Sequence, residues 1–310
     1  GALLLLASVT ISVVGALLPA NPGSQRYSTL VAFACAGTGT LAVTLPCLRP
    51  SWLAVASMPD ERISCADVRS FLRLLPVLFA ANLAFNSLYN SMQYWYQQQA
   101  CQMDLRMPFS THGAQFAGSF FMIADCLGIV VATPAAVRWF NPMLEKACGG
   151  SFCHGTKYGL GMLFGASSVL TAARLEVYRK RAPLLALASN CAPAGIQMTS
   201  LSAVYMILPF FLMGIGEIYT QPVLMHFAYS RSPASMRTLA SAASLVIGAV
   251  STALFAAQIG ALSRYVPNDL NQGHLEYGYY LNIVNAALLY GAFIYALNSF
   301  ESTRSESSSA

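Results

Sequence analysis

The sequence predicts an all-α bundle of about eight helices that cross a lipid bilayer. Three observations carry that prediction. Hydrophobic residues make up 56% of the 310 residues and charged residues only 9%, whereas a soluble domain carries about 25% charged residues. Water cannot solvate such a surface. Apolar stretches recur at about 20 residues, the length a helix needs to cross a hydrocarbon core of about 30 Å. They lack the alternation, about ten residues long, of membrane-barrel strands, and in hydrocarbon only helices and closed barrels satisfy every backbone group.

Taken in order, the spans fall near residues 1–20, 29–48, 74–99, 115–139, 157–178, 201–229, 236–263 and 276–299. Residues 1–49 hold a leading pair of helices. Their first stretch, Gly1 to Leu18, is apolar enough for a signal peptide but lacks the positively charged start and a clear small-residue cleavage site. Beginning at Gly1 inside an apolar run, the sequence reads as a fragment without its upstream part. Residues 50–73 form a linker in which Asp60 to Leu72 has the charges and apolar spacing of a short amphipathic helix lying at the membrane surface. Residues 74–300 hold the remaining six helices. Among their connections, Arg181 to Thr199 carries Pro183, Pro193 and Gly195 and reads as an irregular loop. The Ser-rich tail, residues 301–310, is predicted to be disordered.

An even number of spans puts both ends on one side. Ten of the 17 Lys and Arg residues then fall on the face of the termini, among them Arg62, Arg69, Arg138 and Arg237. The positive-inside rule makes that face cytoplasmic, with Arg179 to Arg181 on the opposite side working against it. The linker at residues 50–73 is therefore a cytoplasmic one. The plasma membrane is the first expectation for such a multi-pass chain, an internal membrane the second.

Several classes of function are disfavoured. The net charge of +5 is spread over helix ends and loops with no basic stripe to follow phosphates, which argues against nucleic acid as a partner. Cys35 and Cys126, inside spans, read as small buried apolar groups. Cys148, Cys153 and His154 share a loop, but without a second pair at ligand spacing they read as an ordinary loop, so no metal is expected. No phosphate-binding loop, dinucleotide fingerprint, HExxH or nucleophile elbow is visible, so neither a cofactor nor enzyme chemistry has a seat.

The residues that point to chemistry are polar groups at membrane depth. Asp125 and Glu217 stand inside apolar spans, where a charge costs about 2.5–3.5 kcal/mol even on the lenient scale and normally faces a cavity, a partner or a proton path. Burial raises a carboxylate's pKa, which makes exchange of a proton near neutral pH physically reasonable. The structural alternatives are a carboxylate paired to a neighbouring helix for Glu217, and close packing among Ala124, Cys126 and Gly128 for Asp125. Gly214, Gly216 and Pro222 around Glu217 predict a weakened helix and a wet site. Asn82, Asn86, Tyr89, Asn90 and Gln93 recur at spacings of three and four, which places them on one side of a helix as a polar cavity wall, or as helix-to-helix hydrogen bonds. His226 reads as a satisfied interior or interface histidine, with a proton relay as the lesser alternative.

Four stretches of sequence then carry a resemblance. Gly216-Glu217 followed by Phe227-Ala228-Tyr229-Ser230-Arg231-Ser232-Pro233-Ala234-Ser235-Met236-Arg237-Thr238, and Pro267-Asn268-Asp269-Leu270-Asn271-Gln272-Gly273-His274-Leu275-Glu276-Tyr277, are highly specific. Gln99-Ala100-Cys101-Gln102-Met103-Asp104 and the set Asp125, Pro134, Arg138 and Pro142 add to them. From the third span onward the chain resembles the proton-coupled oligopeptide transporter family, with its plant peptide and nitrate transporters, in the major facilitator superfamily.

The resemblance implies that the six later spans are helices seven to twelve and the leading pair helices five and six. It implies a proton-coupled symporter of small solutes, di- and tripeptides first, nitrate or another small organic solute as the alternative, working by alternating access. A sensor on the same scaffold is the alternative of another class. Substrate contact falls on Glu217, Asp125, Tyr89, Asn90 and Gln93, and proton coupling on Glu217 and Asp125. The family's Tyr-x-Gln of helix seven is Tyr89-Asn90-Ser91 here, and its Glu-x-x-Glu-Arg motif of helix one does not occur. The expected partners are a peptide or nitrate, protons, the bilayer and the N-terminal half of the same transporter.

Overall fold

In the computed structural model, residues 64–107, 114–148, 154–193 and 195–309 are described, with a few helical positions between Ala7 and Ala42. Nearly all of the two leading spans, the start of the linker helix (residues 60–63 of Asp60 to Leu72), and the Cys148, Cys153 and His154 side chains therefore lie outside the described residues. The chain divides into a unit Gly1–Val68 and a unit Arg69–Ala310. The second holds nearly everything described below.

Six helices are long and apolar enough to cross a membrane: α1 Cys65–Cys101, α2 Gly118–Met143, α3 Gly155–Arg181, α4 Ala203–Arg231, α5 Ala234–Leu262 and α6 Leu275–Ser302. They match the six later predicted spans. The helix of α1 begins at Cys65, inside the stretch read as a surface helix. Its start is capped reciprocally: the Asp67 amide donates to Ser64 Oγ and the Ser64 amide to Asp67 Oδ2, which satisfies two otherwise orphaned donors. At the far end, the α6 helix runs on through the Ser-rich tail to Ser309, since after Gly291 no Gly or Pro interrupts it.

Outward faces stay apolar. Val130, Trp139, Leu245, Leu288 and Tyr295 are each about 70–80% exposed, the surface expected of helices whose surroundings are lipid. Inward, the helices are joined by small residues and buried polar contacts. Gly161 and Gly165 of α3 meet Gly216 of α4 so closely that a Cβ on Gly216 would lie 3.0 Å from the Gly161 carbonyl oxygen and 3.2 Å from the Gly165 nitrogen. On the other side of α4, a Cβ on Gly128 of α2 would stand 2.6 Å from the Phe211 oxygen, and one on Gly214 would collide with the Asp125 carbonyl. Lipid gives helices no hydrophobic reason to associate, so such backbone-to-backbone approach supplies the van der Waals contact instead. Tyr96 and Ser168 share a hydrogen bond of 2.8 Å, and Ser168 Oγ donates to the Pro209 carbonyl at 2.6 Å, which ties α1, α3 and α4 together.

The helix of α4 is α-helical without interruption from Ile207 to Arg231. The prediction that Gly214, Gly216 and Pro222 weaken it is corrected: the two glycines admit neighbouring backbones, and the helix spans Pro222 intact. Helical geometry breaks instead in α2, as a π-helical turn at Ala136–Phe140, and in α1, as one at Ser91–Tyr96. There Asn282 donates to Ser91 Oγ at 2.7 Å and accepts from Gln258 at 2.6 Å.

One end of the bundle gathers the α1–α2, α3–α4 and α5–α6 connections. Arg181 to Thr199 is not an irregular loop: Leu184–Ala188 (β1) and Gln197–Thr199 (β2) pair antiparallel, and the turn between them is pinned by a disulfide from Cys191 to Cys101. No sequence spacing announced that bond. Gly118 packs against its sulfurs, 2.9 Å from Cys191 Sγ to where a Cβ would stand. Asp104 threads the same end, its amide donating to the Leu201 carbonyl and its carbonyl accepting from the Ala203 amide. The Arg106 guanidinium on its side chain holds the Asp104 carboxyl below its usual range. Gln102 donates to the Asn268 carbonyl at 2.7 Å and accepts from the Leu270 amide at 2.9 Å. Arg179, fully buried with Glu176 at 2.7 Å, donates a further bond to Asn271 Oδ1. Arg179 is thus sequestered rather than presented to a membrane surface, which weakens its weight against the predicted orientation.

The glycine crossing predicts a sharp contrast between two small substitutions. Gly216→Val should lower the apparent Tm strongly, with an overpacking cost of about 1–3 kcal/mol, because the α3 backbone has no room to yield. Gly248→Ala, with nothing within 4 Å of the added Cβ, should leave it unchanged. Thermal unfolding of the purified protein in detergent checks both.

Candidate functional site

The close crossings of α4 set the site. Glu217 follows Gly216 directly, near the middle of α4, and is half-buried. Asp125 is 5% exposed and lies where α2 crosses Gly214, with its Oδ1 3.1 Å from where a Gly214 Cβ would stand. Positions 214 and 217 are about 4.5 Å apart along the helix axis at 1.5 Å per residue, so the two carboxylates stand about one turn apart in depth. They act on one another electrostatically. Only glycine at 214 lets this happen, since any side chain there would push α2 away.

Tyr89 and Gln93 approach from α1. The Tyr89 phenol reaches both the Glu217 carboxylate and the Gln93 amide, and it feels the Asp125 charge as well. Both α1 residues are half-buried, as befits a wall between protein interior and an open face. The structure therefore brings together Glu217, Asp125, Tyr89 and Gln93 from three helices. Asn90 stands apart: it is 3% exposed with Nδ2 lacking a partner, and it is not among the groups acting on either carboxylate.

Neither carboxylate is held in a salt bridge among the described residues, whose ion pairs join Arg106 to Asp104, Arg179 to Glu176, Lys180 and His274 to Glu276, and Arg231 to Glu301. Asp125 Oδ1 is buried without a hydrogen-bond partner. Among the described residues, the structural alternative of a Glu217 neutralised by a neighbouring helix finds no cation in that role. What this arrangement offers chemically is a concentration of negative charge and hydrogen-bond acceptors, with one phenol donor, open to a cation or to protons.

The predicted polar face of α1 splits in two. Asn82 and Asn86 are buried, and their amides donate back to the Leu78 and Asn82 carbonyls of their own helix. They bond within their own helix rather than offering these amides to a cavity. Past the π-helical turn the row continues through Gln97 and Gln98, residues that lead out of the bundle. The sequence reading named Gly128 as a residue for close packing beside Asp125 and Gly214 as helix-weakening, and it missed Gly161 and Gly165. The spacing Gly161-Met162-Leu163-Phe164-Gly165 was the available signal. Among the described residues no group of His, Cys, Asp and Glu side chains could hold a metal ion.

Comparison with known proteins converges on one family. Its profile, described as the POT family, matches residues 51–274. Among curated relatives, NRT1/PTR family protein 8.5 of Arabidopsis thaliana is 26% identical over 227 residues, covering 69% of this chain and 35% of that protein. NRT1/PTR family protein 2.9 of the same plant is 26% identical over 242 residues, covering 74% and 40%. The chain thus spans well under half the length of these relatives. Among solved structures, the POT family transporter PepTSo aligns over 96% of this chain and 54% of its own, with a TM-score of 0.59 at 20% identity, a likeness of fold. An auto-inhibited POT family peptide transporter aligns over 96% and 52%, with a TM-score of 0.51 at 20% identity. The helices are those of a major facilitator bundle, and with its family profile covering residues 51–274, the chain belongs to the POT family of membrane transporters.

Proposed function

We propose that this chain is the C-terminal part of a proton-coupled symporter that carries di- and tripeptides by alternating access, with an N-terminal half of the same transporter completing the cavity. One observation carries the reading: two carboxylates at membrane depth share a site with Tyr89 and Gln93, and neither has a salt bridge among the described residues. Such charges are costly and are retained where a ligand or a proton completes them. A peptide brings an ammonium group to Glu217 and Asp125. Nitrate brings a negative charge that both would repel. The chemistry therefore ranks peptides above nitrate, and the description of one solved relative as a peptide transporter accords with it.

Coupling follows from charge balance. Glu217 bearing a proton is neutral, and Glu217 facing a substrate ammonium is neutral as a pair. The unpaired anion is the state that resists closure into a dry midplane, because its desolvation is uncompensated. With two carboxylates, a substrate ammonium on Glu217 and a proton on Asp125 discharge both, so peptide and proton cross inward together. Either one alone leaves an unpaired anion that resists closure; the return of the empty carrier is assigned to a compensating cation of the N-terminal half. Asp125, one turn away, raises the cost of the unpaired state further and adds a second proton-accepting group. The Tyr89 phenol, reaching Glu217, orients the carboxylate toward whichever partner is present.

The disulfide end is placed outside the cell, with the protein in the plasma membrane. Disulfides persist in oxidising compartments, and the excess of basic residues on the opposite face agrees with that orientation.

Two measurements test the assignment. In the full-length parent, Glu217→Gln should reduce dipeptide accumulation driven by an inward proton gradient by at least about tenfold, the effect of losing roughly 1.4 kcal/mol or more of charge-assisted contact; uptake with unaltered pH dependence would contradict the role. Asp125→Asn should raise the apparent Tm by about 2–4 °C, as relief of roughly 1 kcal/mol does in chains of comparable size. A fall in Tm would mean that Asp125 is a structural pair after all.

A further inference from the structure

We infer that the cleft between the C-terminal end of α1 and the hairpin tip is an outer binding site for an amide-bearing solute, which holds a short peptide before it reaches Glu217. The inference rests on the peptide-symport reading of Glu217. The cleft has a volume of ≈ 340 Å³, at the small end of the roughly 300–1,000 Å³ found for small-molecule sites. Gln93, Gln97 and Gln98 line one side, Gln102 and Asn268 another, and the Cys101–Cys191 disulfide closes it toward the hairpin.

Its chemistry is selective. No charged side chain is among the described residues that line it. A carboxamide presents both a carbonyl acceptor and two N–H donors, the complement of a peptide bond. A small anion would meet N–H donors but no cation to offset its charge. A bare cation would meet no carboxylate until it reached the deeper site. The lining thus suits a neutral amide or a zwitterion whose two charges are well separated.

Its walls are fixed before any ligand arrives. Gln102 spends its own amide on the Asn268 carbonyl and the Leu270 amide, so it builds a wall rather than a contact. Gln115 donates to the Ala188 carbonyl and accepts from the Asn190 amide, each at 2.9 Å, and this holds the hairpin tip beside α1 together with the disulfide. The remaining amides are less committed. Gln97 reaches Met122 Sδ at 3.6 Å, a weak acceptor, and Gln98 is exposed. A rigid frame around adaptable amides lowers the ordering cost of binding.

Position links the cleft to the carboxylates. Gln93 lines the cleft and also meets Tyr89, whose phenol reaches Glu217. Gln93 and Gln97 are four residues apart on one helix face. A peptide leaving the cleft along that face keeps amide contact until its ammonium group meets Glu217.

The test uses the full-length parent in proteoliposomes with labelled dialanine and an inward proton gradient. The double variant Gln97→Leu, Gln98→Leu should raise KM about fivefold, equivalent to ~1 kcal/mol and the loss of about one neutral hydrogen bond, with maximal uptake falling less than twofold. Gln98→Asn should restore part of the loss when combined with Gln97→Leu. A KM within twofold of the parent's overturns the outer site, as does a loss confined to maximal uptake. Should the double variant fail to give a monodisperse protein, Gln98→Ala, at an exposed position, carries the same KM criterion. Absence of gradient-driven uptake by the unsubstituted parent would overturn the symport reading itself and with it the inference, whereas parental uptake with an insensitive KM overturns the outer site alone.

Discussion

The backbone contact of α4 with its two neighbours is the constraint on which this bundle depends. Gly214 faces the Asp125 carbonyl of α2, and Gly216 faces Gly161 and Gly165 of α3. Because residues two apart on a helix point about 200° apart, one short glycine pair serves two opposite interfaces. The same closeness places Asp125 and Glu217 within each other's field. Packing and site are one feature. A side chain at 214 would push α2, and Asp125 with it, away from Glu217, and one at 216 would push α3 away from α4.

That crossing must also offset a cost. Two carboxylates at membrane depth with no salt bridge among the described residues are unfavourable, and buried Asp125 Oδ1 has no hydrogen-bond partner among those residues. The offset comes from the rest of the bundle. Trp95 fits against Gly278 and packs edge-on to Tyr279, and Tyr279 donates to Gln99 at 2.8 Å. Gln99 in turn donates to the Ala172 carbonyl, and the fully buried Glu176–Arg179 pair fastens the α5–α6 turn through Asn271. These contacts gather toward one end, where the hairpin and disulfide also lie. The segment of α1 near the carboxylates carries a π-helical turn at Ser91–Tyr96, and such turns are frequent at functional sites.

Much of this was legible in the residues. Apolar length alone located six helices, because hydrocarbon leaves the backbone little choice. Asp125 and Glu217 stood out for the same reason, as charges where charges are expensive. The motif from Pro267 to Tyr277 was recognisable, yet its physical work was not: Asn268, Leu270 and Asn271 brace α1 and α3 through contacts far apart in sequence. Gly214 and Gly216 were read as helix-weakening because propensity is local, whereas their use depends on which backbone arrives opposite. Asn82 and Asn86 were read as a cavity wall because spacing gives the face of a helix but not its neighbour. The pairing of Cys101 with Cys191 was hidden for a like reason, since a separation of 90 residues leaves no local signature.

The measurement closest to the central claim is proton movement caused by substrate alone. Proteoliposomes of the full-length parent would carry a pH-sensitive dye inside, with no initial pH gradient and the membrane potential clamped at zero. Addition of dialanine outside should acidify the lumen, because protons enter with each peptide in a fixed ratio, one carboxylate pairing the ammonium group while the other carries a proton inward. Peptide entering by labelled count with no change in luminal pH would contradict the account.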